Sequence, residues 1–296
     1  MKHTFLTIIC VGFLLFGHIG LLGALDFELS GGMNNMTFHP DRVTAHGVST
    51  NYKKFQNYPY GFGDFHVRGE VSDKMDFDVH LSRDNILQNT LSGKIKTTSD
   101  YFNIEFGPFA GMIDDFSSPE AGIMGSIQFA YPGIAFLSIG GSSSMGGNFS
   151  FLSGNTRQTY EVKAGVWLPG IIPSISINSK SYSKHLEDTT VIRDELTRIQ
   201  ISADFFVKNA PVILTVDIGM ETLTRSYASD FSSETKDELT ATFAGVTAKW
   251  QVTKPIRLIA SFEIPVTYSA TAPMTDPDDR FKLYKFSAGL AYTVFN

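Results

Sequence analysis

From Met75 to Ser82 the chain alternates apolar and polar residues one by one. Met75, Phe77, Val79 and Leu81 fall on one side of an extended segment, and Asp76, Asp78, His80 and Ser82 on the other. Val212, Leu214, Val216, Ile218 and Met220 repeat the pattern against Thr215, Asp217 and Gly219. Leu258, Ala260, Phe262, Ile264, Val266 and Tyr268 do so against Arg257, Ser261 and Glu263. A two-residue period is that of a β-strand with one apolar face, not of a helix. The same reading extends over nearly the whole chain after Ala24.

The breaks between these runs alternate in length. Short ones fall at Ser72 to Lys74, Thr98 to Asp100, Pro132-Gly133, Pro169 to Pro173, Lys208 to Pro211 and Thr253 to Pro255, where proline and glycine set turn geometry. Longer polar segments fall at His39 to Pro59, Arg83 to Ser92, Ile113 to Glu120, Ser142 to Asn155, Ser183 to Asp194, Ser226 to Asp237 and Ser269 to Arg280. Alternating short turns and long loops predict an all-β, antiparallel, up-and-down transmembrane β-barrel of about fourteen strands, both termini at the short-turn end. The range of twelve to sixteen stays open, because alternation is weak in Leu87 to Thr97, Ile134 to Gly141 and Ser174 to Tyr182. Most runs reach the roughly 9 to 11 residues a tilted membrane strand needs. Two aromatic girdles are expected, with Phe102, Tyr131, Trp250 and Tyr292 facing outward near the short turns and Tyr268 and Tyr284 near the long loops.

The amino terminus adds an export signal. Lys2, an apolar run from Phe5 to Phe16 and the small pair Gly23-Ala24 predict a cleaved signal peptide over 1–24, leaving 25–296 as one barrel domain. Cys10, the only cysteine, leaves with it, so no disulfide framework is expected. Loss of the leader removes one base, Lys2, and takes the formal charge of −6 to −7. An acidic chain of this kind argues against nucleic acid.

The last strand carries a resemblance. Ser287, Gly289, Tyr292 and Val294 within SAGLAYTV resemble the C-terminal sorting signal of bacterial outer-membrane β-barrel proteins, although Asn296 follows Phe295 where that family often ends on an aromatic. The resemblance implies residence in the bacterial outer membrane, with lipid and the barrel assembly machinery as partners. In size and expected strand count the chain is similar to small monomeric porins of fourteen strands. Leu25 to Asp41 (LDFELSGGMNNMTFHPD) resembles the opening of small outer-membrane proteins of spirochaetes.

If the apolar face meets lipid, parity assigns the other face to the lumen. It carries Arg68, Glu70, Asp76, Asp78, His80, Glu105, Glu161, Lys163, Arg198, Asp204, Asp217, Glu221, Lys249, Arg257, Glu263 and Lys285, with Asp26, Glu28, Lys94, Lys96, Arg157 and Arg225. Charges of both signs need water or each other. About 16 to 18 strands leave an aqueous channel, and fourteen lies nearer that case than the side-chain-filled barrel of 8. The expectation is a porin-like channel for passive diffusion of small hydrophilic solutes, with weak cation preference. A plugged barrel whose loops act as adhesin or receptor stays open as the alternative. Uptake of hydrophobic substrates is a lesser one, since the fourteen-stranded fatty-acid transporter family has an N-terminal hatch and here strand pattern starts at Leu25. A hydrolase built on His80 with Asp78 and Ser82 is a further one, though residues two apart on a strand sit roughly 7 Å apart. No nucleophile elbow, phosphate loop or metal-ligand spacing is present in the sequence, so neither an enzyme nor a cofactor is expected.

Overall fold

The computed structural model describes residues 25–38, 55–56, 60–112, 120–145, 155–185, 191–208, 210–229, 232–271 and 284–294. The expected signal peptide and most of the 39–59 loop lie outside these residues. The strands are Leu25–Asn34 (β1), Thr37–Phe38 (β2), Phe55–Gln56 (β3), Tyr60–Ser72 (β4), Met75–Asp84 (β5), Gln88–Thr98 (β6), Phe102–Met112 (β7) and Glu120–Tyr131 (β8). They continue as Ala135–Ser144 (β9), Thr156–Val166 (β10), Ile171–His185 (β11), Val191–Phe206 (β12), Val212–Ser229 (β13), Ser232–Gln251 (β14), Ile256–Ala270 (β15) and Lys285–Val294 (β16). β2 and β3 form a separate pair, and the other fourteen strands close into one antiparallel barrel in sequence order, with β16 returning to β1. Ten residue pairs, from Leu25 with Val294 to Asn34 with Lys285, seal the ring.

The five short turns that lie wholly within the described residues form where proline, glycine and polar residues place them, and in the sixth Asn209 lies outside those residues. Two are type II turns of one design. Ile134 N–H donates to the Tyr131 carbonyl (3.0 Å) across Pro132-Gly133, and Ile171 N–H to the Leu168 carbonyl (3.2 Å) across Pro169-Gly170. Proline pre-sets the first central residue and the second needs positive φ, which Gly133 (75°) and Gly170 (80°) supply. The three weakly patterned strands all form, as β6, β9 and β11.

The outer wall is apolar. Leu29, Phe106, Ile201, Ile218 and Val266 are each 55–61% exposed, and such residues recur around the ring. Phe102, Tyr131, Trp250 and Tyr292 are exposed near the short turns, as their parity predicts. A surface of this kind is far larger than the apolar patch a water-soluble protein shows, and a closed sheet leaves no backbone edge unpaired in lipid. Replacing Ile218 with arginine, in the outward row Val216, Ile218, Met220, is therefore expected to lower stability by about 2–4 kcal/mol. Urea unfolding of the protein in lipid vesicles measures it.

Three expectations are corrected. The segments Arg83 to Ser92, Ser183 to Asp194 and Ser226 to Asp237 are not long loops: β5 runs to Asp84 and β6 resumes at Gln88, β11 and β12 end and resume at His185 and Val191, and β13 and β14 at Ser229 and Ser232. There the two-residue signal fades while pairing continues, as between Asp194 and Arg225. Second, Tyr268 does not face lipid. A register shift between Thr242 and Phe243 opposite β15 changes parity, and Tyr268 packs against a buried inner cluster. Third, the inner face is not polar throughout, because Ile192, Leu223, Leu239 and Ala241 are buried toward the long-loop end.

Candidate functional site

The pairing registers turn all sixteen residues assigned to the lumen by parity, from Arg68 to Lys285, onto the inner surface. Glu161 and Lys163 take their place there on β10. Many of the inner charges gather in three regions, each crossing strand boundaries.

On one wall, Arg198 of β12 donates to Glu221 of β13 (3.0 Å) and Glu263 of β15 (2.8 Å), and its guanidinium lies 3.8 Å from the centre of the Phe243 ring. Lys285 adds to Glu263 at 3.5 Å. Gln200 extends the network, accepting from Arg198 (2.7 Å) and donating to Asp217 (2.7 Å). A guanidinium offers five donors in a fixed fork, which is why one arginine ties three strands together.

On the adjoining stretch of wall, Arg257 and Arg68 share Glu28 at 3.2 and 3.8 Å, Arg68 also holds Asp78 at 3.2 Å, and Lys94 meets Glu105 at 2.9 Å. Asp78 contacts His66 at 3.4 Å, while His80 contacts Asp64 at 3.0 Å. The partners of His80 and Asp78 therefore come from the neighbouring strand, so the same-strand grouping of His80, Asp78 and Ser82 does not assemble as an acid, base and hydroxyl. Asp64 went unmarked in the sequence because its role depends on β4 lying beside β5.

The third region lies at the long-loop end. Arg157 donates to Glu120 (3.2 Å) and to the Thr90 hydroxyl, and Tyr182 donates to the other Glu120 oxygen (3.1 Å), with Arg157 and Glu120 each 1% exposed. Arg225 grips Asp194 through two nitrogens. Lys180 of β11 reaches Asp84 of β5 at 2.8 Å, yet these strands stand six places apart in a ring of fourteen. A circular barrel of this strand number is roughly 28 Å across, from spacing of about 4.8 Å and tilt of about 40°. Lysine and aspartate side chains together do not span that, so the tip of the β5–β6 hairpin leans over the lumen.

Apolar contacts agree. Ile86 and Leu87, at that tip, pack in one buried cluster with Met36, Tyr182, Leu223, Leu239 and Ala241, and Leu196 and Tyr268 back it. The Asp84 carboxylate accepts the Ile86 and Leu87 amides (2.8 and 2.6 Å) and Tyr60 donates to the Asp84 carbonyl (3.0 Å), holding the tip bent. In the sequence Glu120, Asp194 and Asp84 fall in segments that read as loops, and no pattern marks Lys180. Nothing local signals them, since their partners are 37, 31 and 96 residues away.

Toward the short-turn end the lumen opens. A cavity of about 560 Å³ is lined by Asp26, His66, Arg68, Glu70, Asp76, Asp78, Lys94, Lys96 and Glu105. Another of about 340 Å³ is lined by Asn103, Glu105, Ser126, Gln128, Lys163, Trp167 and Asp204, so the two adjoin at Glu105.

No family model and no curated protein matches the chain. Among solved structures, an outer-membrane channel from Pseudomonas putida F1 matches with a TM-score of 0.51 at 9% identity, over 92% of this chain and 95% of that chain. In-vitro folded OmpT, an outer membrane protein of Vibrio cholerae, matches with a TM-score of 0.44 at 11% identity, over 93% and 100%. At 9% identity the likeness to the Pseudomonas channel is one of fold. A closed barrel with an apolar outer wall and charged interior places the protein in a bacterial outer membrane, surrounded by lipid.

Proposed function

We propose that this outer-membrane barrel is a porin-like channel for small hydrophilic solutes whose long-loop mouth is shut in the conformation described. The contrast along the lumen carries the reading: charge-lined cavities of about 340 and 560 Å³ at one end and an apolar cluster held by a bent hairpin at the other. Charges such as Asp26, Glu70, Asp76 and Lys96 are tolerable only in contact with water. A hairpin tip is a smaller thing to move than a wall of paired strands, so the same barrel has a ready route to opening. The inner residues, Arg68 to Lys285, then set selectivity, with weak cation preference. The reading assigns the protein no catalysis and favours a monomer.

The second reading is a permanently closed barrel that presents its loops to a partner, and the apolar cluster is what favours it. Single-channel recording of the purified protein in a planar bilayer, under a salt gradient, separates the two. Brief discrete openings, with a reversal potential showing slight cation preference, are expected. Silence from folded, inserted protein, in the parent and in a variant with the cluster broken, would leave only the scaffold.

Delivery belongs to the same proposal. Ser287, Gly289, Tyr292 and Val294 lie on β16, the strand that closes the ring against β1, and we assign them to recognition by the barrel assembly machinery. Tyr292→Ala is expected to reduce inserted, heat-modifiable barrel in cells several-fold while the purified variant still refolds in detergent. Equal insertion of parent and variant would count against the assignment.

A further inference from the structure

His66 of β4 and His80 of β5 are register partners, and both face inward. Their rings stack with centroids 3.7 Å apart and planes 11° from parallel. Asp64, two residues from His66 on the same face, contacts His80 at 3.0 Å. A ligand atom from each of Asp64, His66 and His80 lies within 4.8 Å of those from the other two, the one such group of three among the described residues. None of the three is sealed off, and His66 lines the 560 Å³ cavity.

We infer that Asp64, His66 and His80 form a site for one divalent transition-metal ion, with Zn²⁺ as its representative, on the lumen wall. The donor set selects the class. Two imidazole nitrogens and one carboxylate suit zinc and its neighbours, with water completing the shell, whereas calcium and magnesium take oxygen ligands. Neutral imidazole is the form that binds metal.

The surroundings prepare the site as well. Asp78 contacts His66 through Nδ1 at 3.4 Å and is itself held by Arg68 at 3.2 Å. A carboxylate on one ring nitrogen fixes the proton there and leaves Nε2 free as a ligand, the arrangement that orients metal-bound histidines. Parallel rings do not converge on a point, so binding requires each to turn about χ2. That torsion is soft, and the adjoining cavity gives room. The inference rests on the reading that this face is wetted lumen, but not on conduction.

The test uses the full protein extracted from membranes in detergent and stripped with a chelator. Calorimetric titration with Zn²⁺ is expected to show one ion per chain, and Co²⁺ in its place a visible absorption band of a nitrogen-ligated ion. His66→Gln and His80→Gln should each abolish the stoichiometric event, and Asp78→Asn should weaken it by about 10- to 100-fold. His185→Gln, at the end of β11, should leave it intact. Heat-modifiable mobility on gels identifies variants that keep the barrel, and Asp64→Asn offers a near-isosteric second probe. A parent protein without stoichiometric binding, or a folded His66→Gln/His80→Gln variant binding as tightly as the parent, overturns the site. Binding without conductance would sink the channel reading and leave the site standing; conductance without binding does the reverse.

Discussion

Replacing Ile86 and Leu87 together with serine is expected to turn a mostly closed barrel into a conducting one. Both side chains are almost wholly buried, at 2% and 6% exposure, in the cluster that spans the long-loop mouth. Burying an aliphatic side chain of this size is worth about 1.5–3 kcal/mol, so the pair contributes roughly 3–6 kcal/mol to the bent position of the hairpin. Since each 1.4 kcal/mol is about a tenfold change in an equilibrium, a barrel that opens rarely should become one that is open for much of a recording. The wall should hold, because β5 and β6 keep their ladder from Met75 with Thr97 to Asp84 with Gln88. Open probability in planar bilayers is the readout, with Leu29→Ser on the lipid face as the control. A folded, inserted double variant as silent as its parent would overturn the channel reading in favour of the closed scaffold.

Arg157→Ala is expected to be the costliest single truncation inside the barrel, at about 3–5 kcal/mol. Its guanidinium and the Glu120 carboxylate are both 1% exposed and lie 3.2 Å apart, so removing the cation takes a paired charge from a buried carboxylate. The loss should fall well below that in Arg157→Met/Glu120→Leu, where no charge is stranded. Urea unfolding in vesicles of the two single variants and the double gives the coupling directly. Additive losses would show that the two side chains do not act as a unit.

Most of the wall is legible in the chain because its physics is local. One side of each strand meets lipid and the other water or charge, so the residues between Met75 and Ser82 or Val212 and Met220 announce their faces without reference to any neighbour. Proline-glycine pairs at 132–133 and 169–170 likewise dictate their turns alone. Legibility ends where the environment stops being two-sided. Beyond the lipid band, Asp194 and Asp237 are paired strand residues that read as loop, since the outward face there no longer meets lipid and the alternation fades. Tyr268 was misplaced because one bulge inverts the parity of everything after it.

By itself, then, the sequence determined an exported, closed, antiparallel barrel, its strand order and the inward placement of its charges, since period-two burial and turn chemistry act over a few residues. Only the tertiary structure decided what those inner residues meet. Closing the ring brought Asp84 of β5 to Lys180 of β11, packed Ile86 and Leu87 against Tyr182, Leu223 and Leu239, and set Asp64, His66 and His80 together from two strands. Such contacts depend on register and on the bend of a hairpin across the lumen, long-range quantities that no local alternation of polar and apolar residues encodes.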